Sequence, residues 1–184
     1  MDECGTWAGN DPLLISYHDT RWCHEVHDDD EIFALLVLES MSVGLSWRLI
    51  LHREKRYREV CDGLRPSLCA LYDDEKVDKL MRTDGIVHMR GKVESIGRNA
   101  RAFEEVRKEY GTFDSWIWSF TEGKAIDHRL EDVASTPSRN ELSDLVSKEL
   151  KKKGFCYMGP VITYSWLQVI GMINDHLVSC PKRP

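Results

Sequence analysis

The 184-residue sequence predicts an all-α protein. Apolar residues recur every three or four positions along most of the chain, which is the spacing of one face of a helix. Capping residues and glycines mark the ends of these stretches. No segment combines two-residue alternation with β-branched enrichment, as a half-buried strand would. A chain of this length buries one substantial core, and we predict a single unit over residues 1–184 made of two closely packed helical lobes.

The first elements are predicted from caps and breakers. Residues 1–27 are rich in Gly, Asp, His and Trp with little periodicity, and we predict an irregular arm there. Residues 28–30 supply caps and a negative first turn for an apolar helix that is broken at Gly44. Ser46 is suited to cap the next helix, over 47–61.

The remaining helices follow from the same periodicity, with a tight turn at 83–85. Gly111 suits the C-terminal end of the longest of them, and Pro160 suits the first turn of the last. They are predicted over 73–82, 90–110, 113–120, from the 135–138 loop to Gly154, and over 161–173.

Composition excludes several classes of protein. The longest strongly apolar run, 32–38, is too short to cross a bilayer, so no membrane partner is expected. The N-terminus lacks a basic region followed by an apolar one, which favours a reducing, intracellular location: the cytoplasm, or the nucleus in a eukaryote. There the six cysteines are expected to be free thiols or metal ligands. The net charge of −6 argues against indiscriminate coating of nucleic acid.

Cysteine and histidine occur near both ends of the chain. Cys4 and His18 lie near the start, and His176 and Cys180 are separated by three residues near the finish. Two thiolates and two imidazoles form a closed tetrahedral set that suits structural zinc. Spacing alone is equally consistent with terminal thiols and surface histidines.

A segment over 83–92, hereafter the 83–92 hairpin, joins two predicted helices through Gly85. Backbone N–H groups at such a turn and at the following helix start can hold a phosphate, and Arg90 and Lys92 add positive charge. The local sequence by itself favours an ordinary helical hairpin with a solvated basic face.

A carboxylate and several aromatic residues are candidates for a binding pocket. Glu39 follows an apolar helix, and Trp7, Tyr17, Trp22 and Trp47 lie in the same N-terminal region. Such a set suits a flat cationic ligand through stacking, cation–π attraction and charge. The alternative places Glu39 on the solvent face of its helix and the aromatic residues in the core.

Taken together, these stretches resemble the 3-methyladenine DNA glycosylase I family over essentially the whole length of the chain. The resemblance implies an all-helical member of the helix-hairpin-helix superfamily with a zinc ion that joins the N- and C-terminal segments. It is carried by Cys4-Gly5, Asp11-Pro12-Leu13, Tyr17-His18-Asp19, Leu38-Glu39, Gly44-Leu45-Ser46-Trp47, Gly85-Ile86-Val87, Arg90-Gly91-Lys92, Asn99-Ala100, Trp118-Ser119-Phe120, Ser135-Thr136-Pro137, Ser147-Lys148, Lys153-Gly154-Phe155, Gly159-Pro160, Asn174-Asp175-His176 and Cys180.

The resemblance also implies roles for individual residues. Glu39 matches the carboxylate that reads the flipped base, and we take it as the catalytic candidate. The 83–92 hairpin, with Gly85, Arg90 and Lys92, matches the DNA-binding hairpin. The expected zinc ligands are Cys4, His18, His176 and Cys180, and the expected base-binding residues are Tyr17, Trp47, Trp7, Trp22 and Ser42.

The implied activity is base-excision repair of alkylated double-stranded DNA. The family flips 3-methyladenine out of the helix and hydrolyses its N-glycosidic bond, releasing the free base. No lysine stands at an evident nucleophile position, so a monofunctional hydrolase without strand cleavage is expected. A monomer without an organic cofactor is also expected.

The sequence departs from the family pattern near the pocket. After the glutamate the family has Gly or Ser and then Gln-Gln or Gln-His, where this sequence has Ser40-Met41-Ser42. Leu14 replaces a tyrosine, and Cys23 replaces a glycine. Two alternatives are therefore kept. One is a catalytically weak or inactive module that binds damaged DNA, and the other is a different helical zinc protein whose glutamate is structural.

Overall fold

The structure, a computed structural model, describes residues 3–184, most of which are helical as predicted. Short 3-10 helices occupy Glu3–Ala8, Asp62–Leu64, Ser119–Thr121 and Val133–Ser135. In the described part of the chain, no helix is long and apolar enough to cross a membrane. The α-helices are α1 (Pro12–Thr20), α2 (Asp29–Ser42), α3 (Trp47–Val60), α4 (Pro66–Cys69), α5 (Asp74–Met81), α6 (Arg90–Tyr110), α7 (Phe113–Trp118), α8 (Glu141–Lys152) and α9 (Pro160–Val169).

Helix α2 occupies the centre of the fold. It packs against α3, α6 and α9, and every residue from 32 to 42 is buried. A helix that is apolar on all sides can be stable in water only when other elements enclose it. The C-terminal half of α2 therefore has no solvent face, and this decides the environment of Glu39.

The predicted caps of α2, α3 and α6 are confirmed. The Asp28 side chain accepts a hydrogen bond from Glu31 N at 2.8 Å, and Ser46 accepts one from Leu49 N at 3.3 Å. Gly111 follows α6 with a φ of 88°, a left-handed conformation that glycine adopts without a steric penalty.

The predicted irregular arm over 1–27 is wrong for most of its length, because it contains the 3-10 helix Glu3–Ala8 and α1. Helix α1 begins at Pro12, and the Asp11 side chain accepts hydrogen bonds from the N–H groups of residues 13 and 14. A nine-residue helix that buries three side chains shows little periodicity, which is why pattern reasoning missed it. Residues 1 and 2 lie outside the described residues.

The C-terminal region also differs from the prediction. Helix α9 ends at Val169, and Gly171 has a φ of 76° at a point where an added Cβ would overlap the backbone of His24. A two-residue strand, β2 (Ile173–Asn174), follows and pairs in parallel with β1 (Ile126–Asp127). This bridge leads the chain back toward the N-terminal segment.

Candidate functional site

A cavity of about 460 Å³ lies between α1, the end of α2, the start of α3 and α9. Its volume is within the range of small-molecule sites. The structure brings to it every side chain that the sequence assigned to the pocket, namely Trp7, Tyr17, Trp22, Glu39, Ser42 and Trp47.

Glu39 is only 3% exposed. Within residues 3–184 its carboxylate has one hydrogen-bonding side chain, Ser42, whose Oγ lies 3.3 Å from Oε2. The same Oγ donates to the backbone oxygen of Glu39 at 2.8 Å, and a hydroxyl has a single proton to share. Burial raises the pKa of Glu39 to about 8, and the Ser42 hydroxyl opposes this shift.

Tyr17 and Trp47 form the aromatic wall next to Glu39. Their ring centroids are 5.6 Å apart with the planes inclined by 55°. The Tyr17 hydroxyl and Trp47 Nε1 are both buried, and neither has a hydrogen-bond partner among the described residues. Burial, together with the charge of Glu39, raises the pKa of Tyr17 well above its ordinary value. Unpaired buried donors are costly in a folded protein, so a cavity lined by two of them is suited to a ligand with acceptor atoms.

The two other tryptophans extend this wall toward the termini. The rings of Trp7 and Trp22 lie 5.6 Å apart, edge to face, and Trp7 is in the same relation to Tyr17 at 6.3 Å. Trp22 also packs on His18 at 5.7 Å and on His176 at 4.7 Å. The aromatic wall therefore packs against a cluster of cysteine and histidine, of which Cys4 also lines the cavity.

Three of the four predicted metal ligands form one buried group. Cys4 Sγ and Cys180 Sγ lie 3.4 and 3.9 Å from His18 Nε2, and the ligand atoms of all three residues lie within 4.8 Å of one another. The other ring nitrogen of His18 lies 2.8 Å from a carboxylate oxygen of Asp19. Metal-binding histidines commonly have such a partner, which fixes the tautomer. This group has the composition of a metal site that joins the two ends of the described chain.

His176, the fourth predicted ligand, lies beside this group. It is fully buried, and its ring centroid is 4.9 Å from that of His18. Its Nδ1 lies 3.1 Å from Asn174 Oδ1, an oxygen that orients the ring as Asp19 orients His18.

Sequence reasoning missed a further buried network, which also borders the cavity. Asp175 accepts hydrogen bonds from Tyr164 Oη at 2.5 Å and Gln168 Nε2 at 2.7 Å, and His128 Nδ1 lies 2.6 Å from its other oxygen. Both Asp175 and Gln168 line the cavity. The sequence signal was Asp175 itself, which stands next to a predicted metal ligand and was assigned no role of its own.

Leu14 and Met41, two of the positions that depart from the family pattern, are core residues. Both are buried in the main apolar cluster, and neither is among the residues that line the cavity. Of the altered positions after Glu39, it is Ser42 that faces the site.

The 83–92 hairpin joins α5 to α6 as predicted. Gly85 has a φ of 89°, and an added Cβ would lie 2.9 Å from Arg56 Cγ, so both the turn and the close approach require glycine here. Arg90, at the start of α6, is 48% exposed and forms ion pairs with Asp78 and Glu94. Gly85 and Arg90 thus lie where an external phosphate could reach the hairpin.

The prediction that the Lys92 side chain contacts DNA is wrong for this structure. Lys92 is 1% exposed, and its ammonium donates to the backbone oxygens of Met41 at 2.8 Å and Val43 at 2.5 Å. The carbonyl groups at the end of a helix have no partner within the helix and carry negative partial charge, so they attract this cation into the protein.

Comparison with protein families gives one match that spans nearly the whole chain. The model of the methyladenine glycosylase family matches residues 7–183. The chain is 35% identical over 180 residues to DNA-3-methyladenine glycosylase 1 of Escherichia coli K12, covering 98% of this chain and 96% of the relative. It is 34% identical to a DNA-3-methyladenine glycosylase of Haemophilus influenzae, covering 95% of each chain.

Solved structures agree with this match. The structure of 3-methyladenine DNA glycosylase I from Staphylococcus aureus, determined for its recognition of 3-methyladenine, has a TM-score of 0.97 and 34% identity, covering 100% of this chain and 97% of the other. A single-residue variant of a 3-methyladenine DNA glycosylase I in complex with 3-methyladenine has the same TM-score and identity, covering 100% and 98%.

Proposed function

The chain belongs to the methyladenine glycosylase family, and from this premise we propose that its 460 Å³ cavity holds a 3-methyladenine flipped out of alkylated DNA. The protein is a glycosylase that acts on 3-methyladenine in base-excision repair. The reading as an unrelated helical zinc protein with a structural glutamate is thereby overturned.

The substrate itself supplies much of the chemistry. A nucleotide methylated at N3 of adenine carries positive charge, and cleavage of the glycosidic bond lets the base leave as a neutral molecule. Protonation of the leaving group is therefore unnecessary. The protein has to extrude the nucleotide, hold the base and allow water to reach the sugar carbon. We assign the described residues to these holding roles and expect hydrolysis without strand cleavage.

Glu39 is the residue that we place at the positive charge of the base. Its carboxylate lies in an apolar site where an ion pair is screened far less than in water. We expect Tyr17 Oη and Trp47 Nε1, which are buried without partners among the described residues, to donate to ring nitrogens, and the aromatic wall to stack on the flat ring. A neutral purine offers no positive charge to pair with Glu39, and its glycosidic bond is not weakened in advance, so it is expected to be released poorly.

One observation carries this proposal: a carboxylate that is 3% exposed shares a cavity with two buried donors that lack partners among the described residues. The experiment that tests it measures release of free 3-methyladenine from methylated duplex DNA. Glu39→Gln keeps the shape and removes the charge, and we expect a loss of about 10- to 100-fold, the worth of roughly 1.5–3 kcal/mol for a hydrogen bond to a charged group. Glu31→Gln, at the half-exposed start of the same helix, is the matched control and should keep the parent rate.

The results can contradict the assignment of the pocket and the catalytic activity separately. Excision by Glu39→Gln at the rate of the parent would show that the pocket is assigned wrongly. Binding of methylated DNA without any release of base would favour the alternative of an inactive damage-binding module, which the replacement of an amide by Ser42 motivates.

We also propose that a zinc ion is held by Cys4, His18, His176 and Cys180. Two thiol and two imidazole groups, buried together and oriented by Asp19 and Asn174, fit the donor set of structural zinc. With four protein ligands the metal would have no open position for water or substrate. Its contribution when bound would be to hold the N-terminal 3-10 helix against the C-terminal segment, and no reaction step is assigned to it.

The 83–92 hairpin is proposed to hold the DNA backbone. The N–H groups at the start of α6 lack a side-chain cap within the described residues, and Arg90 lies at the surface beside them. Gly85 supports the turn that leads to them. We further propose that residues 1–184 act as one unit, as an intracellular monomer on double-stranded DNA, without an organic cofactor.

A further inference from the structure

Lys92 connects the start of α6 to the end of α2. It stands in the first turn of α6, within the 83–92 hairpin, and its Nζ bonds to the backbone oxygens of Met41 and Val43. Val43 is the residue that terminates α2. The contact therefore joins the hairpin to the corner between α2 and α3.

The charge of Lys92 favours this position strongly. A cation in the first turn of α6 is opposed by the positive end of that helix, whereas the end of α2 presents unpaired carbonyl oxygens and the negative end of its dipole. Burying an ammonium is costly unless its N–H groups donate hydrogen bonds, and Lys92 donates two, to these carbonyls.

The corner that Lys92 contacts contributes several of the residues that line the cavity. Five residues that line the cavity lie close to Met41 and Val43 in the chain. They are Glu39, Ser42, Gly44, Leu45 and Trp47. A displacement of the Val43 carbonyl would move the carboxylate relative to the aromatic wall.

Helix α3 is attached to the same hairpin by two further bonds. Tyr57 Oη accepts a hydrogen bond from Val87 N at 2.9 Å, and Arg56 Nε donates to Asp84 O at 3.0 Å. Both helices that form the corner are therefore fixed to the hairpin: α2 through Lys92, and α3 through Tyr57 and Arg56.

We propose that Lys92 is a positioning residue, which sets the base cavity at a fixed place relative to the hairpin by holding the Met41 and Val43 carbonyls. This rests on the proposed function, in which the hairpin holds the DNA backbone and the cavity holds the flipped base. Lys92 then contributes to excision without touching DNA, and its effect is on the rate after binding. A shift of about 1 Å in such a site can cost on the order of a hundredfold in rate.

The test uses the full chain and compares K92M, K92R and R90A with the parent. Release of 3-methyladenine is measured in single turnover with saturating protein, and affinity for an undamaged duplex is measured over a range of salt concentrations. We expect K92M to release the base about 10- to 100-fold more slowly while its affinity and salt slope stay at those of the parent. K92R, whose guanidinium can donate to both carbonyls, should recover most of the rate. R90A should show the opposite pattern, a weaker and less salt-dependent affinity.

Two results would overturn the role of Lys92. K92M could lose about one unit of salt slope, as a phosphate contact would, or it could excise as fast as the parent. Thermal melting establishes that each variant is folded at the assay temperature, and K92Q, which keeps one N–H donor, replaces K92M if that variant is not. No release by the parent protein would contradict the proposed function instead, and the affinity and salt measurements would still distinguish a phosphate contact.

Discussion

Ser42 Oγ lies 3.3 Å from Glu39 Oε2 and 2.8 Å from the backbone oxygen of Glu39, so its single proton is shared between these two acceptors. The carboxylate therefore has a neighbour that cannot give it a full hydrogen bond. In this site burial outweighs stabilisation of the charged form, which is why the pKa of Glu39 rises to about 8. A cationic ligand would pair with the carboxylate and so favour its ionised form.

The stability of the free protein should depend on pH through Glu39. Its pKa is about 8 in the folded state and 4.5 ordinarily, so between these values the folded protein binds a proton that the unfolded chain does not. The stabilisation that this proton gives the folded state is fully present below about pH 4.5 and is lost as pH rises toward 8. Glu39→Gln lacks this loss, so its free energy of unfolding relative to the parent should increase by up to about 1.4 kcal/mol per pH unit across that window.

Urea unfolding at several pH values measures this difference, with Glu31→Gln as the control. A difference between Glu39→Gln and the parent that is constant from pH 5 to pH 8 would contradict the raised pKa.

Removal of the Ser42 hydroxyl should move the pH profile of excision. The hydroxyl lowers the pKa of Glu39, so Ser42→Ala should raise it further. If ionised Glu39 pairs with the cationic base, kcat/KM increases with pH through the pKa of the free enzyme. The rising limb of the profile in Ser42→Ala should then lie at higher pH than in the parent.

Ser40→Ala is the matched control, because Ser40 is buried on the same helix and donates to Val37 O instead. Equal shifts in both variants would mean that loss of a buried hydroxyl, rather than contact with Glu39, causes the effect.

Tyr17→Phe should separate stability from binding. The Tyr17 hydroxyl is buried without a partner in the described part of the chain, so its removal should leave the free protein as stable or more stable by up to about 1 kcal/mol. The affinity for free 3-methyladenine should fall by about 0.5–1.5 kcal/mol if the hydroxyl donates to the base. Calorimetric titration and thermal melting measure the two quantities.

Tyr57→Phe is the control of opposite sign. The Tyr57 hydroxyl accepts a hydrogen bond from Val87 N, so its loss should destabilise the protein without a direct effect on the base. Tyr17→Phe that destabilises as much as Tyr57→Phe would indicate a structural role for the Tyr17 hydroxyl.

Metal removal should lower thermal stability through the Cys4, His18 and Cys180 group. Cys180→Ala should lose stoichiometric zinc and on the order of 2 kcal/mol or more, which corresponds to about 4–8 °C for a chain of this size. Elemental analysis and thermal melting test this. Cys156→Ala, at a half-buried thiol outside the group, should keep both metal and melting temperature. A parent protein without bound metal would refute the zinc site.

Arg90→Ala should weaken binding to every duplex sequence to the same extent. Its guanidinium lies at the hairpin surface, and loss of one phosphate contact reduces the dependence of log affinity on log salt by about one. Lys108→Ala, near the opposite end of α6, removes an exposed cation from the same helix and should change neither quantity. Fluorescence anisotropy at several salt concentrations measures both. An unchanged salt slope in Arg90→Ala would mean that the hairpin is an ordinary helical connection.

Local features of the sequence determined most of the helices. Asp28, Ser46 and Gly111 cap or terminate helices where the pattern placed them, because capping depends on a residue and its neighbours along the chain. Helix α1 and the bridge between β1 and β2 were missed, because short elements carry too few residues for a periodic signal.

Residue types also determined much of the composition of the cavity, since its aromatic residues and Glu39 were expected there, whereas Asp175 was not. What only the tertiary structure decided is how each polar group is paired. Glu39 and Lys92 are both charged residues that ordinarily face solvent, and the sequence around them does not state which elements enclose them. Packing of α3, α6 and α9 around α2 buries Glu39, and it brings the last carbonyls of α2 within reach of Lys92. The environment of a charge is fixed by contacts between residues distant in the chain, so no local pattern can report it.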